Sequence, residues 1–524
     1  MFWSCYHNDA QPSSTNSRRG ECGEADVTNA GSSLLSMSGP ESLPTANEAA
    51  DSSSQPQPSL TVNALEERLP ELTTKDSHSL GVTLARWFNS LSVEERNQAT
   101  FDVHGVNDIA TETPDLQCRF LWQMDEILTS LKFHPNLPTD AYRLAEQKSM
   151  AYVHNPALKL SFLRAVEFAD AHLAAERYIR FYNFKNLLFG PDCLVRDLTW
   201  NDLCPADQQA YEKGYLQLLP ERDSSNRLIC VYFPNLDDYD DATQFGRLLF
   251  YNCTNTSSTW ESERKGIIVI VWVLGQVNIK KFVTKNYLPV TGHMDNAMPY
   301  KLACLHLCYN DSLFNAAWKY LFDFTRDPVK KARCRCHVGT PQEVLYELMT
   351  FGIPSKAIPI TDTGELQVNW HLMLLEMKQR AEAHVRSGHN SESTTFILVP
   401  SNQDVLFGRG RRIQSFPGNI RLKVTVEELL PEYETLDKEG KTKLAERIVL
   451  AVKEGGARFL SQEKGAWTET TDDLARLKVA QLFRNRRKTS TSSGDNAAST
   501  TEKKYADTVD GACPLGLFKK PKTN

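Results

Sequence analysis

The sequence has no apolar run long enough to cross a membrane as a helix. Its most apolar stretch, 266–277, has about 12 residues, whereas a spanning helix needs about 20. The N-terminus, MFWSCYHNDA, lacks a basic start followed by an apolar core, so we expect no secretory leader. The twelve cysteines show no framework spacing, and Cys230 and Cys304 lie inside apolar runs, which predicts free thiols in a reducing compartment. We therefore expect a cytoplasmic protein, with the nucleus as the alternative, and no transmembrane segment.

The signatures of several enzyme classes are also missing. There is no G-x-S-x-G elbow, no H-E-x-x-H helix and no G-x-G-x-x-G after a strand. The glycine-rich stretch near residue 408 lacks the G-K-S or G-K-T ending of a nucleotide-hydrolase loop. We expect a non-enzymatic protein that needs no cofactor.

Composition and charge divide the chain. Residues 1–76 hold 4 basic and 11 acidic residues and few large apolar ones, and residues 489–524 are similarly poor in apolar side chains, so we expect both segments to be disordered. Residues 401–488 hold 18 basic and 13 acidic residues, an excess that can indicate a polyanion partner. The predicted parts between the ends are a helical lead-in (77–155), an α/β domain (156–386), a Ser/Gly/Asn-rich linker (387–395) and a small basic, mostly helical domain (396–488).

Apolar periodicity predicts an α/β fold with a mixed sheet covered by helices. Two short apolar runs, YLQLL and LICVYFP, flank the polar turn 222–227 and predict a hairpin, and later strands are expected at 267–274, 301–309, 332–338 and 394–399. Ser92 and Glu95 form a capping-box pattern that starts a helix. Other helices are expected at 80–91, 113–131, 140–154, 158–189, 242–254, 313–324, 341–351, 367–386, 424–434, 438–454 and 472–487.

The order of five segments over about 150–365 resembles the CRAL-TRIO lipid-binding family. These segments are KLSFLRAVEFADAHLAAERYIRFYNF, GYLQLLPERDSSNRLICVYFP, GIIVIVWVLG, KLACLHLCYNDSLFNAAWKYLFDF and KKARCRCHVGTPQEVLYELMTFGIP. The resemblance implies a bowl-shaped cage for one hydrophobic ligand, such as a phospholipid or an isoprenoid, with the helix 313–324 as a gate that opens at a membrane surface. Trp272-Val-Leu-Gly275 lacks the acidic residue often found there, and Lys301 lies a few positions from the family's lysine. We therefore expect a general apolar ligand rather than a phosphoinositide.

An apolar ligand would need an enclosure rich in large apolar side chains. The alternative for each such side chain is ordinary core packing, because periodicity marks burial and not the partner. The candidate lining residues are Phe233, Leu248, Phe250, Trp272, Leu274, Phe314, Trp318, Phe322 and Phe351.

The C-terminal stretch resembles a second family, an uncharacterised domain found mainly in diatoms and related algae. The matching segments are DVLFGRGRRIQSFPGN, KTKLAERIVLAV, GGARFL, Trp467 and ARLKVAQLFRNRRK, over about 402–488. Phe416 stands where histidine is usual before Pro-Gly-Asn. This resemblance implies a fold and no known biochemical role.

Basic side chains in this stretch are candidates for binding an anion. Arginines offer forked donors to phosphate, and glycine turns expose backbone amides. The alternative is a structural glycine turn followed by a solvated basic helix end, which suits the helix dipole. The candidates are Arg409, Arg411, Arg412, Arg421, Lys423, Arg484, Arg486, Arg487 and Lys488, and Arg476 and Lys478 lie on the same last helix.

Thiols and imidazoles alternate on two predicted strands. Cys304, His306 and Cys308 share one strand face, and Cys334 and Cys336 share a face of the next strand, with His337 on the other side. Zinc accepts such ligands, but structural zinc sites usually use C-x₂₋₄-C knuckles on turns. Packing by small buried thiols is the alternative, and we expect no metal.

The sequence thus predicts a non-enzymatic protein that binds or transfers a hydrophobic small molecule. The alternative is a regulatory or scaffold protein whose basic C-terminal domain binds nucleic acid or an acidic protein.

Overall fold

The computed structural model describes residues 79–106, 112–133, 137–234, 239, 242–254, 260–273, 294, 296–309, 331–386, 397–463 and 466–492. The predicted gate helix 313–324, the linker 387–395 and the segments 1–76 and 493–524 lie outside the described residues. The prediction of a disordered tail from residue 489 is wrong for 489–492, which continue the last helix. Within the described part, no helix is both long and apolar enough to cross a membrane.

Seven helices form the first part of the chain that the structure describes. They are α1 (Ser79–Ser90), α2 (Val93–His104), α3 (Pro114–Leu131), α4 (Asp140–Lys148), α5 (Met150–Val153), α6 (Pro156–Ala165) and α7 (Ala171–Phe189). The predicted capping box at the start of α2 is confirmed, since the Ser92 side chain accepts from the Glu95 backbone and the Glu95 carboxylate accepts from the Ser92 backbone.

Two predicted long helices are each divided into two. The pattern 140–154 breaks at Ser149, which takes an extended conformation and caps α5 through its side chain. The pattern 158–189 breaks after Ala165, because Glu167 and Phe168 adopt left-handed φ angles of 56° and 57°. Such angles are costly for non-glycine residues and persist where tertiary contacts fix them. Here Glu167 pairs with Lys301, and the Phe168 ring packs edge-on against Phe120 at 5.4 Å between ring centroids.

The central sheet has five strands in chain order, β1-β2-β3-β4-β5, which confirms the mixed α/β class. The β1–β2 pair is the antiparallel hairpin that the sequence predicted, and the later pairs are parallel. The strands are β1 (Leu216–Leu218), β2 (Leu228–Tyr232), β3 (Ile267–Trp272), β4 (Leu302–Tyr309) and β5 (Cys334–Val338). The helices around them are α8 (Pro205–Glu212), α9 (Ala242–Thr254), α10 (Trp260–Lys265), α11 (Pro341–Thr350) and α12 (Asn369–Arg386).

Helices bury both faces of the sheet. On one face, Ile229 and Ile268 pack with Val344 and Leu348 of α11. On the other face, Cys230 and its neighbours pack with Leu374 and Met377 of α12. Strands buried on both sides explain why β2 and β3 read as continuous apolar runs and not as alternating ones.

The C-terminal part, 397–492, forms a small module of helices around a three-stranded sheet of order β6-β7-β8. Its elements are β6 (Val405–Leu406), α13 (Arg411–Gln414), α14 (Pro417–Glu428), α15 (Leu430–Thr435), α16 (Lys438–Glu454), β7 (Phe459–Glu463), β8 (Ala466–Glu469) and α17 (Asp472–Ser492). The prediction of a strand at 394–399 is wrong in its described part, where Ile397 makes a single isolated bridge to Trp467. The predicted helix 424–434 is two helices, because Leu429 ends α14 and Pro431 lies in the first turn of α15.

The turn between β1 and β2 joins three parts of the molecule. Arg227 is fully buried, pairs with Asp223 at 2.7 Å (Nε to Oδ2), and donates to the carbonyls of Asp102 and Val103 at the end of α2. On the other side of the turn, Arg222 donates to the carbonyls of Val399 and Pro400 at 3.2 and 3.1 Å. Asn226 bonds Ser401 and Asn402. Residues 222–227 therefore connect the lead-in helices, the sheet and the C-terminal module.

We predict that Arg227→Met lowers the free energy of unfolding by about 3–5 kcal/mol, because removal of one partner leaves the buried Asp223 carboxylate uncompensated. Arg143→Met, which breaks an exposed pair with Asp140, should change stability by about 1 kcal/mol or less. Urea denaturation followed by circular dichroism measures both. Equal effects of the two substitutions would contradict the structural role of the turn.

Candidate functional site

An ion pair holds the C-terminal module together. It joins Asp404, just before β6, to Arg458, just before β7. Asp404 is fully buried and accepts from the Arg458 backbone at 3.0 Å and from its guanidinium Nη2 at 2.9 Å. It also accepts from the Ser401 backbone amide at 2.8 Å. The aspartate of DVL and the arginine of GGARFL are therefore partners in holding the fold.

The Pro-Gly-Asn segment is likewise structural. Pro417 occupies the first turn of α14, where its missing N–H is not needed. A Cβ on Gly418 would lie 2.0 Å from the Asp404 carbonyl oxygen, so the close approach of the two chains requires glycine. The Asn419 side chain accepts from the Leu406 amide at 2.9 Å and donates to the Leu406 carbonyl at 3.0 Å, so it pairs with β6 as a strand would.

The glycine-rich loop after β6 presents its arginines to solvent. Gly408 and Gly410 have φ angles of 144° and 103°, a region that side chains rarely enter. Arg409, between them, and Arg411, the first residue of α13, are exposed. Arg412 is 65% exposed, lies 3.3 Å from the Glu221 carboxylate (Nη2 to Oε1) and sits over the Trp370 ring at 5.9 Å.

Lys423 and Lys478 lie near each other beside this loop, and no described carboxylate pairs with either. Lys423 on α14 donates to the Gln414 carbonyl at 2.9 Å, and Lys478 on α17 donates to the Leu406 carbonyl at 2.8 Å. The Lys478 ammonium also lies over the Phe407 ring at 4.5 Å from its centroid. Burial, with Lys423 nearby, lowers the pKa of Lys478 to about 8. Among the residues that the structure describes, neither lysine forms an ion pair.

The structure thus separates the predicted basic residues into two groups. We define the basic face as the exposed or unpaired cations Arg409, Arg411, Arg412, Lys423, Lys478 and Arg484. Arg421 turns away to donate to the Asn402 carbonyl, and Arg486 pairs with Glu427. The side chains of Arg487 and Lys488 lie outside the described part.

In the sequence, Lys478 is one of several basic residues of the last helix, and nothing in the pattern distinguishes it from the others. The A-R-x-K-V pattern contains Lys478, and the regular spacing of that helix does not reveal the distant carbonyl or ring that it contacts. The partner that distinguishes it, Lys423, lies 55 positions earlier in the chain.

The pocket candidates in the sheet domain divide between two apolar clusters. Phe233, Trp272 and Phe351 share the cluster on the α11 side of the sheet. Leu248 and Phe250 pack instead among the helices, where Phe250 stacks on Phe181 at 5.5 Å between ring centroids. Leu274, Phe314, Trp318 and Phe322 lie outside the described residues. Lys301 is buried in ion pairs with Asp102 and Glu167 and so supports the fold.

The two Cys/His strands, β4 and β5, are neighbours in the sheet, and they bring the imidazoles of His306 and His337 into contact. His306 Nδ1 lies 2.9 Å from His337 Nε2, and His337 Nδ1 lies 2.7 Å from the Glu347 carboxylate. Cys334 and Cys336 pair in register with Leu305 and Leu307, on the opposite face. No group of three His, Cys, Asp or Glu side chains in the described ranges could hold a metal ion.

Comparison with known proteins finds a likeness in the C-terminal module. Residues 404–485 match the family described as a domain of unknown function (DUF6824). No curated protein matches the chain. The matched span runs from Asp404 to within the basic end of α17, so it contains the Asp404–Arg458 pair and both lysines of the basic face.

We predict that Gly418→Ala destabilises the C-terminal module by about 1–3 kcal/mol, since the new methyl group must displace the Asp404 backbone. Gln414→Ala, an exposed change four residues earlier, should stay within about 0.5 kcal/mol. Thermal unfolding of both full-length variants gives the comparison. An unchanged transition for Gly418→Ala would rule out the close approach.

A second prediction concerns mild acid. Burial, with His337, Arg335 and Arg227 nearby, holds the pKa of His306 well below its ordinary value. The unfolded chain therefore takes up a proton near pH 6.5 that the folded chain does not, so stability falls as pH drops from about 7 to 5. His306→Gln should reduce the change of the free energy of unfolding with pH by the contribution of about one proton.

The control is Gln414→Ala, because Gln414 is exposed and carries no titrating group. It should leave the pH dependence of the free energy of unfolding unchanged between pH 5 and 7. A slope that His306→Gln does not reduce would mean that His306 is already protonated in the fold.

Proposed function

We propose that the protein is a non-enzymatic binding protein whose C-terminal module binds the phosphate backbone of a nucleic acid through the basic face. The observation that carries the proposal is the pair Lys423 and Lys478, since burial and then the neighbouring Lys423 charge lower the pKa of Lys478, and neither lysine has a carboxylate partner in the described structure. A fold normally pairs or separates like charges that it partly buries, because their repulsion and desolvation cost stability. A bound phosphate would offset both costs.

The spread of the basic face favours a polymer over a single small anion. Lys478 and Arg484 are six residues apart on α17, about 9 Å along the helix axis and about 120° apart around it, so the charge spans more than one side of the helix. The exposed arginines Arg409 and Arg411 add charge on the loop and helix that lead to Gln414, whose carbonyl Lys423 contacts. One phosphate contacts two or three such side chains, whereas a duplex presents one charge per about 1.7 Å of its axis.

The salt dependence of binding tests this proposal. For a fluorescein-labelled 20-base-pair duplex, log K should fall with log salt by about 0.9 for each phosphate neutralised. Lys423→Gln with Lys478→Gln should weaken binding and reduce the magnitude of that slope by about 2. Fluorescence anisotropy between 50 and 200 mM NaCl measures both.

The matched control is Lys443→Gln, since Lys443 is exposed on α16 and pairs with Glu439. It should change neither the slope nor the affinity. Binding of poly-glutamate without binding of the duplex would replace the nucleic acid by an acidic protein partner. If the slope of log K against log salt is the same in the double variant and in the control, the two lysines do not contact the nucleic acid.

The pH dependence of binding follows from the same lysine. Because the pKa of Lys478 is about 8 in the free protein and a phosphate would raise it, affinity should fall by up to about tenfold between pH 7 and 9. Lys478→Arg should bind with little change over this range, since arginine keeps its charge. Identical pH profiles for the two proteins in the anisotropy assay would contradict a contact from Lys478.

A second candidate function, binding or transfer of an apolar molecule at a membrane surface, is supported by the sheet domain. Its mixed sheet is covered by helices on both faces, and Phe233, Trp272 and Phe351 lie together in the apolar cluster on one of them. Native mass spectrometry of the full chain, with lipid extraction, tests it. A stoichiometric phospholipid or isoprenoid would support the cage, and a protein that stays empty after incubation with both would overturn it.

A further inference from the structure

The last helix, α17, has a buried side and an exposed side. The buried side packs into the apolar core of the module through Ala475, Val479 and Phe483. The exposed side follows intervals of three and four residues, which bring side chains to one face of a helix. We define the outer face of α17 as the exposed residues Leu474, Leu477, Gln481, Arg484 and Asn485.

The charge of this helix is almost entirely positive. Its two acidic residues, Asp472 and Asp473, lie in the first turn. The remaining stretch, 474–492, holds six basic residues and no acidic one. A long exposed helix with this distribution is complementary in charge to a polyanion such as a nucleic acid.

A second copy of the chain fits the outer face poorly. Pairing of two helices requires apolar residues at this spacing over at least three heptads. Only Leu474 and Leu477 are apolar, and Gln481 and Arg484 continue the series. A helix pair would bury an amide and a charge, which costs free energy.

The polar side chains of the outer face are of the types that read base edges in DNA. Glutamine offers an acceptor and a donor side by side to adenine N6 and N7, and arginine offers two parallel donors to guanine O6 and N7. The Gln481 side chain is restrained, because its Nε2 donates to Asn485 Oδ1 at 2.7 Å. Leu474 and Leu477 are half-exposed, and exposed apolar side chains can contact the methyl group of thymine.

The lysine that would bind phosphate lies beside the outer face and not on it. Lys478 is about 60° around the helix from Gln481. Its side chain reaches the Leu406 carbonyl, close to the loop that carries Arg409 and Arg411. A helix in the major groove has base edges in front of it and phosphates along its flanks. Lys478 and the loop therefore lie on the flank where a phosphate backbone runs when the outer face points to the bases.

The dimensions and composition of the helix favour double-stranded DNA over RNA and over single strands. The major groove of B-DNA is about 12 Å wide and admits an α-helix, which is about 10–12 Å across with its side chains. The major groove of A-form RNA is too narrow for side chains to read. Single strands are bound by stacking on aromatic rings, and the outer face carries none.

We propose that α17 is a recognition helix that enters the major groove of double-stranded DNA and reads its sequence through Gln481 and Arg484. The proposal rests on the proposed phosphate contacts of the basic face and adds a sequence preference to them. Arg484, although a member of the basic face, contacts a guanine, and Gln481 contacts an adenine. Lys423 and Lys478 hold the backbone beside them.

The test begins with selection from a library of duplexes with a randomised centre, using the full-length protein. Fluorescence anisotropy then compares the selected duplex with a shuffled duplex of the same composition at one salt concentration. We expect the selected duplex to bind at least about tenfold more tightly, since one good base contact already discriminates by about that factor.

Two variants separate base reading from charge. Gln481→Ala should weaken binding of the selected duplex by about 5–150-fold and leave binding of the shuffled duplex unchanged, because an amide carries no charge. Arg484→Lys keeps the charge and loses the fork, so it should relax the preference for one guanine without changing the salt dependence. Both positions are exposed, so the circular dichroism of each variant should match that of the parent. Lys443→Gln is the control and should alter neither the preference nor the affinity.

The outcomes distinguish this proposal from the proposed function beneath it. If all duplexes bind equally and the salt dependence persists, α17 does not read bases and only the phosphate contacts remain. A preference that survives in both Gln481→Ala and Arg484→Lys would also overturn the recognition helix, as would equally tight binding of an RNA duplex of the selected sequence. If no duplex binds at any salt concentration, the proposed function itself fails.

Discussion

The contacts among the lead-in helices, the sheet and the C-terminal module depend on Arg227, a buried arginine in the turn between β1 and β2. Arg227 has no exposed surface, and its guanidinium is satisfied by Asp223 within the turn and by two carbonyls at the end of α2. A buried charge is tolerated only when it is paired and hydrogen-bonded, so the lead-in helix and the hairpin must form together. The same turn bonds the chain at 399–402 through Arg222 and Asn226. The C-terminal module is therefore attached to a point that is already fixed by the core.

The strands of the central sheet and most of the helices could be predicted because their period is set by burial on one face or on both. The break inside 158–189 could not, since the apolar spacing continues through it. What ends the helix there is tertiary: the Glu167 carboxylate reaches Lys301 before β4, and Phe168 packs on Phe120 of α3. Both partners are far away in sequence, and local propensity carries no information about them.

The roles of the residues in the candidate site could not be predicted from the sequence either. The arginines and glycines of the C-terminal motif are visible in the sequence, but the sequence does not separate those that hold the fold from those that remain available. Gly418, Asn419 and Arg458 are used internally, because they contact Asp404 or β6. Arg409 and Arg411 have no such role among the described contacts and point to solvent. Most of these motif residues therefore stabilise the fold, whereas Arg409 and Arg411 remain available on the surface.

The attachment of the module bears on how an anion could act on the rest of the chain. Arg412 is the basic-face residue whose ion pair reaches the sheet domain, at Glu221, and both side chains are substantially exposed. Exposed pairs of this kind contribute about 0–1 kcal/mol, so a phosphate can replace Glu221 at small cost. The bonds from Arg222 to Val399 and Pro400 are buried and have no such competitor. Phosphate binding would thus release one surface contact while the module stays attached through the buried bonds of Arg222 and the packing of Leu398 and Val399 on the sheet.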